Sequence, residues 1–96
     1  MEIKEFYVYI LECISSKGKK SFYTGYTKSL ENRIQLHSEG KGAKYTRGKQ
    51  IKLLFYQSFK NRSEAMKVER NLKKLSKKQK IELILSNKNL IKEENT

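Results

Sequence analysis

Five residues have the side-chain types, and the order along the chain, that hydrolysis of a phosphodiester would use. Tyr9 and Tyr23 lie in the first quarter of the sequence, and Arg33, His37 and Glu69 follow them. Such a reaction needs an activated water, positive charge on the phosphate oxygens and help for the leaving oxygen. A guanidinium is the better phosphate donor because its planar fork matches the phosphate oxygens. Arg33 is therefore the candidate phosphate-binding residue.

The proton carriers among these residues also have plainer interpretations. Tyr9 or Tyr23 could orient or deprotonate the water, although an ordinary phenol with a pKa of ~10 is a poor base at neutral pH. His37, the single histidine, could carry a second proton or donate to the phosphate. The alternatives are that the tyrosines only pack within strands and that His37 is a polar residue on a helix surface.

Glu69 is the candidate metal ligand. It falls on an apolar helical stripe that begins at Ala65, where a carboxylate is costly unless it is paired or binds a cation. One Mg²⁺ or Mn²⁺ held by a single carboxylate and by waters would fit, because Mg²⁺ keeps several water ligands. The chain has no Asp, so a carboxylate-rich cluster for two metals is not expected. Without further context, an ion pair with Arg70, Lys73 or Arg33 is the favoured alternative.

The charge of the chain predicts a polyanionic partner. Twenty-two Lys and Arg against ten acids leave a net charge of +12, and residues 38–80 hold fourteen of the bases and three of the acids. Dense basic charge binds nucleic acid through counterion release. A lysine-rich solvated surface is the alternative. The candidate nucleic-acid-binding residues are Lys41, Lys44, Arg47, Lys49, Lys73, Lys74, Lys77 and Lys78.

Length and composition predict one domain over residues 1–96, with a core of about residues 6–85 and a flexible tail at 86–96. Cys13 is the single cysteine, so an internal disulfide is excluded. No apolar run approaches the ~20 residues that span a bilayer, and no secretory signal is visible. A cytoplasmic protein without membrane contact is expected.

Apolar alternation predicts three strands, at residues 6–12, 21–26 and 51–59, of which the first two form a hairpin. Strict alternation in the third would place Leu53 and Phe55 on one face and Leu54 and Tyr56 on the other. Residues 39–50 have neither a helical nor a strand period and predict a mobile basic loop.

Three helices are predicted from capping residues and from period. The first is expected to begin after Thr27 or Ser29 and to end near residue 38. Asn61-x-x-Glu64 and Ser76-x-x-Gln79 resemble capping boxes that open the other two. In the last helix, the residues expected to supply apolar contacts are Ile81, Leu83, Ile84 and Leu85.

The ordered residues resemble the GIY-YIG nuclease superfamily, and within it the short stand-alone bacterial branch related to the amino-terminal nuclease domain of the excision-repair protein UvrC. Residues 7–9, Tyr-Val-Tyr, stand at the first family triplet, and residues 23–25, Tyr-Thr-Gly, stand at the second. Arg33 stands at the catalytic arginine, His37 where members carry His or Tyr, and Glu69 at the metal-binding glutamate. The resemblance covers about residues 6–85.

This resemblance implies an α+β fold, with a small three-stranded antiparallel sheet flanked by about three helices, and hydrolysis with one Mg²⁺ or Mn²⁺. It leaves Tyr9 and Tyr23 as joint candidates for the base. Gly25 would allow a tight turn or a close backbone approach. The catalytic asparagine of several members would fall near Ile81, which has no polar group to replace it. Sequence preference would come from the basic loop, from the lysine cluster at 73–80 or from a partner protein.

The predicted function is a metal-dependent endonuclease that hydrolyses phosphodiester bonds of DNA with little sequence specificity, with DNA repair or recombination as the candidate context. The alternative is a nucleic-acid-binding module of the same fold with little or no cleavage activity. A third hypothesis, an RNA-binding protein, keeps RNA as an alternative substrate. No oligomeric state is predicted.

Overall fold

The computed structural model describes residues 5–94, of which residues 87–94 are described by their backbone alone. It contains three strands and three helices: β1 Phe6–Ile14, β2 Lys20–Thr27, α1 Leu30–Ser38, β3 Gln50–Phe59, α2 Arg62–Lys73 and α3 Lys77–Glu94. The strands form one antiparallel sheet in the order β2-β1-β3. The predicted α+β class, with a three-stranded antiparallel sheet and about three helices, is confirmed.

The central strand β1 is buried on both of its faces, and each face belongs to a different cluster. Val8 and Ile10 pack with residues of α2 and α3. Tyr9, Leu11 and Cys13 point the other way and pack with residues of α1. This alternation follows from the two-residue period of a strand. β1 therefore separates an apolar layer from a layer that holds the tyrosine.

The alternation predicted for β3 was wrong because the pairing of β1 with β3 shifts register after Ile10. Such an irregularity places an extra residue on one strand and changes which side chains share a face. Leu54 and Phe55 both lie in the cluster beneath α2 and α3. Leu53 instead lies with Tyr56 on the α1 side.

The capping predictions for α2 and α3 agree with the structure. The side-chain oxygen of Asn61 accepts a hydrogen bond from the backbone N–H of Glu64 at 2.8 Å. At the start of α3, the N–H of Gln79 donates to Ser76 Oγ at 3.1 Å, and the N–H of Ser76 donates to Gln79 Oε1 at 2.9 Å. The second pair is a complete capping box.

α1 begins differently. Ser29 occupies the N-cap position without a side-chain cap bond. Thr27 Oγ1 accepts from the N–H of Ser29 at 3.1 Å and donates to its carbonyl at 3.2 Å. The hydroxyl of Thr27 therefore forms the turn that leads into the helix.

The apolar face of α3 is narrower than predicted. Leu83 and Ile84 contact the core, but Ile81 and Leu85 are 41% and 60% exposed. Residues four apart share a helical face, so Ile81 and Leu85 point away from the core together. The helix continues to Glu94, across most of the segment expected to be a flexible tail. The flexibility of that segment stays a prediction.

Candidate active site

Tyr9 is the centre of the candidate site because it contacts both His37 and Tyr23. It is buried in the middle of β1 and lies opposite Gly25 of β2. The phenol lies directly against Gly25, and a Cβ at that position would overlap its hydroxyl oxygen and the adjacent ring carbon. Of the two roles considered for Gly25, the structure shows the close approach, because the residue lies within a strand and not in a turn.

A chain of hydrogen bonds leads from Tyr9 to the loop between α1 and β3. Tyr9 Oη lies 2.9 Å from His37 Nε2, and His37 Nδ1 lies 2.8 Å from Thr46 Oγ1. Thr46 Oγ1 donates in turn to the carbonyl oxygen of Ala43 at 3.2 Å. All three side chains are buried.

The end of this chain determines the tautomer of the imidazole. A carbonyl oxygen can only accept, so the proton of the Thr46 hydroxyl is committed to Ala43. Thr46 Oγ1 must then accept from His37, which places the imidazole proton on Nδ1. Nε2 is left with its lone pair, and the Tyr9 hydroxyl donates its proton to it.

His37 is neutral in this arrangement. Burial lowers its pKa below the ordinary value of 6.5, and the positive charge of Arg33 lowers that pKa further. A neutral imidazole at neutral pH can accept a proton, which a protonated one cannot. The alternative that His37 is a surface residue of a helix is excluded, since it is 1% exposed.

The loop that follows α1 encloses His37. Thr46 is fully buried beneath the loop surface. Gly42 lies flat against the imidazole, and a Cβ there would overlap the ring. The segment predicted only as a mobile basic loop thus supplies a hydrogen-bond partner and a wall of the site. Sequence reasoning missed Thr46 and Gly42; the glycine spacing of the loop, which permits close backbone approach, was the available indication.

Tyr23 completes an aromatic cluster around the histidine. Its ring centroid lies 6.4 Å from that of Tyr9 and 5.2 Å from that of His37. The imidazole meets both tyrosine rings edge-on. Tyr23 therefore touches the proton chain through its ring, whereas Tyr9 is a hydrogen-bonded member of it.

Arg33 and Glu69 act on Tyr9 from different helices. Burial raises the pKa of Tyr9 well above its ordinary value; the charges of Tyr23 and Glu69 raise it further, and the charge of Arg33 lowers it. Arg33 is half-buried on α1, one turn before His37. Tyr9, Tyr23 and His37 are therefore in contact, and Arg33 and Glu69 lie near enough for their charges to influence the pKa of Tyr9.

The carboxylate of Glu69 forms a weak ion pair on α2. Glu69 Oε2 lies 3.5 Å from Lys73 Nζ, and the side chain of Lys73 is 57% exposed. The side chain of Glu69 is 19% exposed, so the pair is partly open to solvent, and an ion pair four residues apart on a helix contributes little, roughly 0.3–0.5 kcal/mol. The predicted ion pair with Lys73 is therefore present, but it is too weak to hold the carboxylate against a stronger partner.

A single divalent cation fits this site better than a metal cluster does. Within the part of the chain whose side chains are described, no group of three or more His, Cys, Asp or Glu could hold a metal. Glu69 alone would bind the cation, and water and phosphate oxygens would supply the other ligands, as Mg²⁺ tolerates. The donor set is thus compatible with one Mg²⁺ or Mn²⁺.

The predicted nucleic-acid-binding residues lie in two basic regions, the loop between α1 and β3 and the junction of α2 and α3. Lys41, Lys44 and Arg47 are exposed on the loop, and the lysines at 73, 74, 77 and 78 are exposed at the α2–α3 junction. Lys49 differs from these, because its Nζ lies 3.6 Å from the ring centroid of Tyr45.

A groove of about 280 Å³ runs between these two basic regions, and we call it the Tyr45 groove. Its lining residues are Phe22, Tyr23, Thr24, Tyr45, Lys73 and Lys80. A second groove, of about 430 Å³, contains Arg33 together with Arg62 and Lys28. Sequence reasoning had not singled out Tyr45, and it had included Lys80 only as the last member of the lysine cluster at 73–80. Among the described residues, no helix is long and apolar enough to cross a membrane.

Comparison with known proteins gives consistent matches. The family model of the GIY-YIG catalytic domain matches residues 5–82. A UPF0213 protein of Clostridium perfringens is 49% identical over 90 residues, which cover 93% of this chain and 90% of that protein. A UPF0213 protein of Oceanobacillus iheyensis is 48% identical over 82 residues, with 84% and 91% covered.

One solved structure also matches. The solution NMR structure of a UPF0213 protein from Bacillus halodurans has 42% sequence identity and a TM-score of 0.49, and the match covers 83% of this chain and 82% of that one. The names of these relatives state no activity.

Proposed function

The chain belongs to the GIY-YIG family, and we propose that it is a metal-dependent endonuclease that hydrolyses phosphodiester bonds of DNA with little sequence preference. The family implies an endonuclease-type activity on nucleic acid, and its members generally depend on a divalent metal. DNA as the substrate, a cytoplasmic location, a context in DNA repair or recombination and a partner protein that adds specificity are parts of the proposal.

One observation carries this proposal: the hydrogen-bonded chain from Tyr9 through His37 to Thr46. A water that attacks phosphorus must lose a proton, and the phenol oxygen of Tyr9 can take that proton while its own passes to His37 Nε2. The net result is transfer of one proton from water to imidazole. This supports Tyr9 over Tyr23 as the residue that contacts the attacking water.

Arg33 would couple substrate binding to this proton transfer. Its charge lowers the pKa of His37 and so makes the imidazole a weaker proton acceptor. A phosphate bound to the guanidinium would offset that charge. His37 would then accept the proton more readily once the substrate is in place.

Glu69 would hold the cation. A bound Mg²⁺ or Mn²⁺ supplies positive charge to the phosphate and to the leaving oxygen. The lysines of the loop and of the α2–α3 junction would attract the DNA backbone through its charge. None of these contacts requires a particular base, which supports the proposed lack of sequence preference.

Two features favour the rival hypothesis of a binding module with little or no cleavage. The raised pKa of Tyr9 keeps its phenol protonated at neutral pH, so little phenolate is present to take a proton from water unless a nearby cation lowers that pKa. Ile81, near the expected place of a catalytic asparagine, offers no polar group. The rival needs the basic surface alone.

Cleavage of labelled single-stranded, duplex and branched DNA by the purified protein tests the proposal. We expect cleavage with Mg²⁺ or Mn²⁺, none with chelator, and loss of at least about 100-fold in Glu69→Gln, the scale on which one electrostatic group contributes. Glu64→Gln, an exposed residue of the same helix, is the matched control and should cleave like wild type.

Two results would count against this function. If wild type binds all three DNAs and cleaves none, the binding-module hypothesis replaces it. If Glu69→Gln cleaves as fast as Glu64→Gln, Glu69 is not the metal ligand.

A further inference from the structure

Tyr45 is an aromatic side chain that the proton chain does not use. It is 44% exposed, and its ring stacks on that of Tyr23 with centroids 6.1 Å apart and planes inclined by 22°. The ammonium of Lys49 lies 3.6 Å from its ring centroid. An exposed aromatic ring that carries a cation and stacks on a residue of the candidate site is the arrangement of a ligand-binding surface.

The Tyr45 groove has the composition of a site for a flat, anionic ligand. Tyr23 and Tyr45 contribute aromatic surface, and Lys73 and Lys80 contribute positive charge. Phe22 and Thr24 complete the lining of the groove.

The groove adjoins the candidate site through Tyr23, whose ring contacts both Tyr45 and His37. A strand whose phosphate lies at Arg33 and Tyr9 can therefore place a neighbouring nucleotide at Tyr45.

We propose that the Tyr45 groove binds one unpaired nucleobase of the DNA strand that is to be cut. The base stacks on Tyr45, and Lys73 and Lys80 contact the phosphates beside it. Lys49 leaves the ring when the base arrives, and its ammonium then pairs with the phosphate of the same nucleotide. This inference rests on the proposed function and names its substrate class: DNA that carries an unpaired nucleotide next to the scissile bond.

The choice of an unpaired base follows from geometry. Bases within a duplex are stacked on their neighbours, so their faces are not available to a side chain. In single strands every base offers a π-face, and aromatic side chains bind such bases with little sequence preference. The lysines argue against an aromatic peptide as the ligand, because a phosphate backbone matches their charge and a neutral peptide does not.

Binding measured with chelator separates this inference from cleavage. We would record fluorescence anisotropy of a labelled single-stranded oligonucleotide and of its duplex, with wild type, Tyr45→Ala, Tyr45→Phe and Met66→Ala. Met66, on α2 and outside the groove, is the matched apolar control.

Tyr45→Ala should weaken single-strand binding by about 5- to 150-fold, the range for loss of one base–aromatic stack. The duplex should lose less than about 2-fold, and Tyr45→Phe should bind like wild type because phenylalanine keeps the stacking face.

A scan with abasic nucleotides tests whether Tyr45 contacts a base or only packs against Tyr23. One abasic position should weaken wild type as much as Tyr45→Ala does, and at that position the substitution should have no further effect. This result would establish the base contact, and the wild-type scan alone detects it even if Tyr45→Ala fails to fold.

Three outcomes would overturn the inference. Equal losses on single-stranded DNA and duplex would mean that Tyr45 acts on the backbone or on folding. An undiminished Tyr45→Ala effect at every abasic position would mean that Tyr45 only supports Tyr23. If the protein binds RNA of the same sequence more tightly than it binds the DNA, and if that binding depends on Tyr45, the ligand of the groove is RNA and not DNA. If Tyr45→Ala has no further effect at the abasic position but wild type cleaves no DNA, the base-binding site is supported and the proposed nuclease function is not.

Discussion

The two faces of the central strand β1 pack against different kinds of side chain. Beneath α2 and α3, the buried residues of the cluster are apolar, with Val8, Ile10, Ala65 and Leu72 among them. On the face toward α1, a tyrosine, a histidine and a threonine are buried in one hydrogen-bonded chain. The face toward α2 and α3 contributes mainly to stability. The face toward α1 holds buried polar groups in a defined geometry, and their burial costs desolvation free energy.

Substitutions of two adjacent residues of β1 give the strongest test of whether its two faces have different roles. Tyr9→Phe keeps the ring but removes the hydroxyl, so we expect cleavage to fall by about 10²–10⁴-fold. Because His37 Nε2 then loses its donor, the free energy of unfolding should also fall by about 1–3 kcal/mol. Ile10→Ala, on the opposite face, should lower the free energy of unfolding by about 2–5 kcal/mol while folded molecules still cleave. Chemical denaturation and cleavage rates measured on both variants check this pair.

The division between the faces fails if Ile10→Ala slows cleavage by folded molecules as much as Tyr9→Phe does. It also fails if Tyr9→Phe cleaves at the wild-type rate.

Thr46 tests whether the polar face depends on a fixed tautomer. Thr46→Val removes the acceptor for the N–H of His37 and leaves that donor buried without a partner, which should cost about 1–3 kcal/mol of unfolding free energy. Nitrogen NMR of the imidazole should show a proton confined to Nδ1 in wild type and shared between the nitrogens in the variant. Thr46→Ser, which keeps the hydroxyl, should restore both the stability and the tautomer.

An unchanged nitrogen spectrum in Thr46→Val would show that Tyr9 alone orients the histidine. Thr46 would then serve only to pack the loop.

The pH dependence of stability is the smallest expected effect. Because folding lowers the pKa of His37 from its ordinary value of 6.5, the unfolded chain binds more protons as the pH falls through that value. The free energy of unfolding should therefore decrease as pH is lowered from about 7.5 to 5.5, and it should be insensitive to His37 at higher pH. Urea denaturation across this range checks the slope.

His37→Gln is the control for that slope. The chain has no other histidine, and few other side chains titrate in this window, so the variant should show a flatter profile. The same slope in both proteins would contradict a buried neutral imidazole.

Sequence patterns predicted the sheet and the caps well because both depend on local chemistry. Alternation along β1 and the Ser76–Gln79 box act over a few residues, and the structure shows both. The faces of β3 were mispredicted because an irregularity in pairing depends on the partner strand, which a one-strand pattern does not contain. Ile81 and Leu85 were mispredicted because hydrophobicity alone does not tell which side of a helix meets the core.

The candidate site was predictable by residue type but not by connectivity. Tyr9, Arg33 and Glu69 were suggested by their chemistry and by family resemblance. Thr46 could not be found in this way, because threonine is common in loops and its role arises only when the chain returns to His37 nine residues later. Tyr45 was missed for a similar reason, since its partners Tyr23 and Lys49 meet it only in three dimensions.

The contacts of Gly25 and Gly42 have a consequence for anyone who transfers this site to another scaffold. Each glycine leaves a space the size of a methyl group, one for the phenol of Tyr9 and one for the imidazole of His37. If only the reactive side chains were copied, the two rings would overlap the Cβ atoms of the residues that occupy these two positions in the new scaffold. Both glycines must therefore be transferred as well, although neither has a functional group that a search for reactive residues would find.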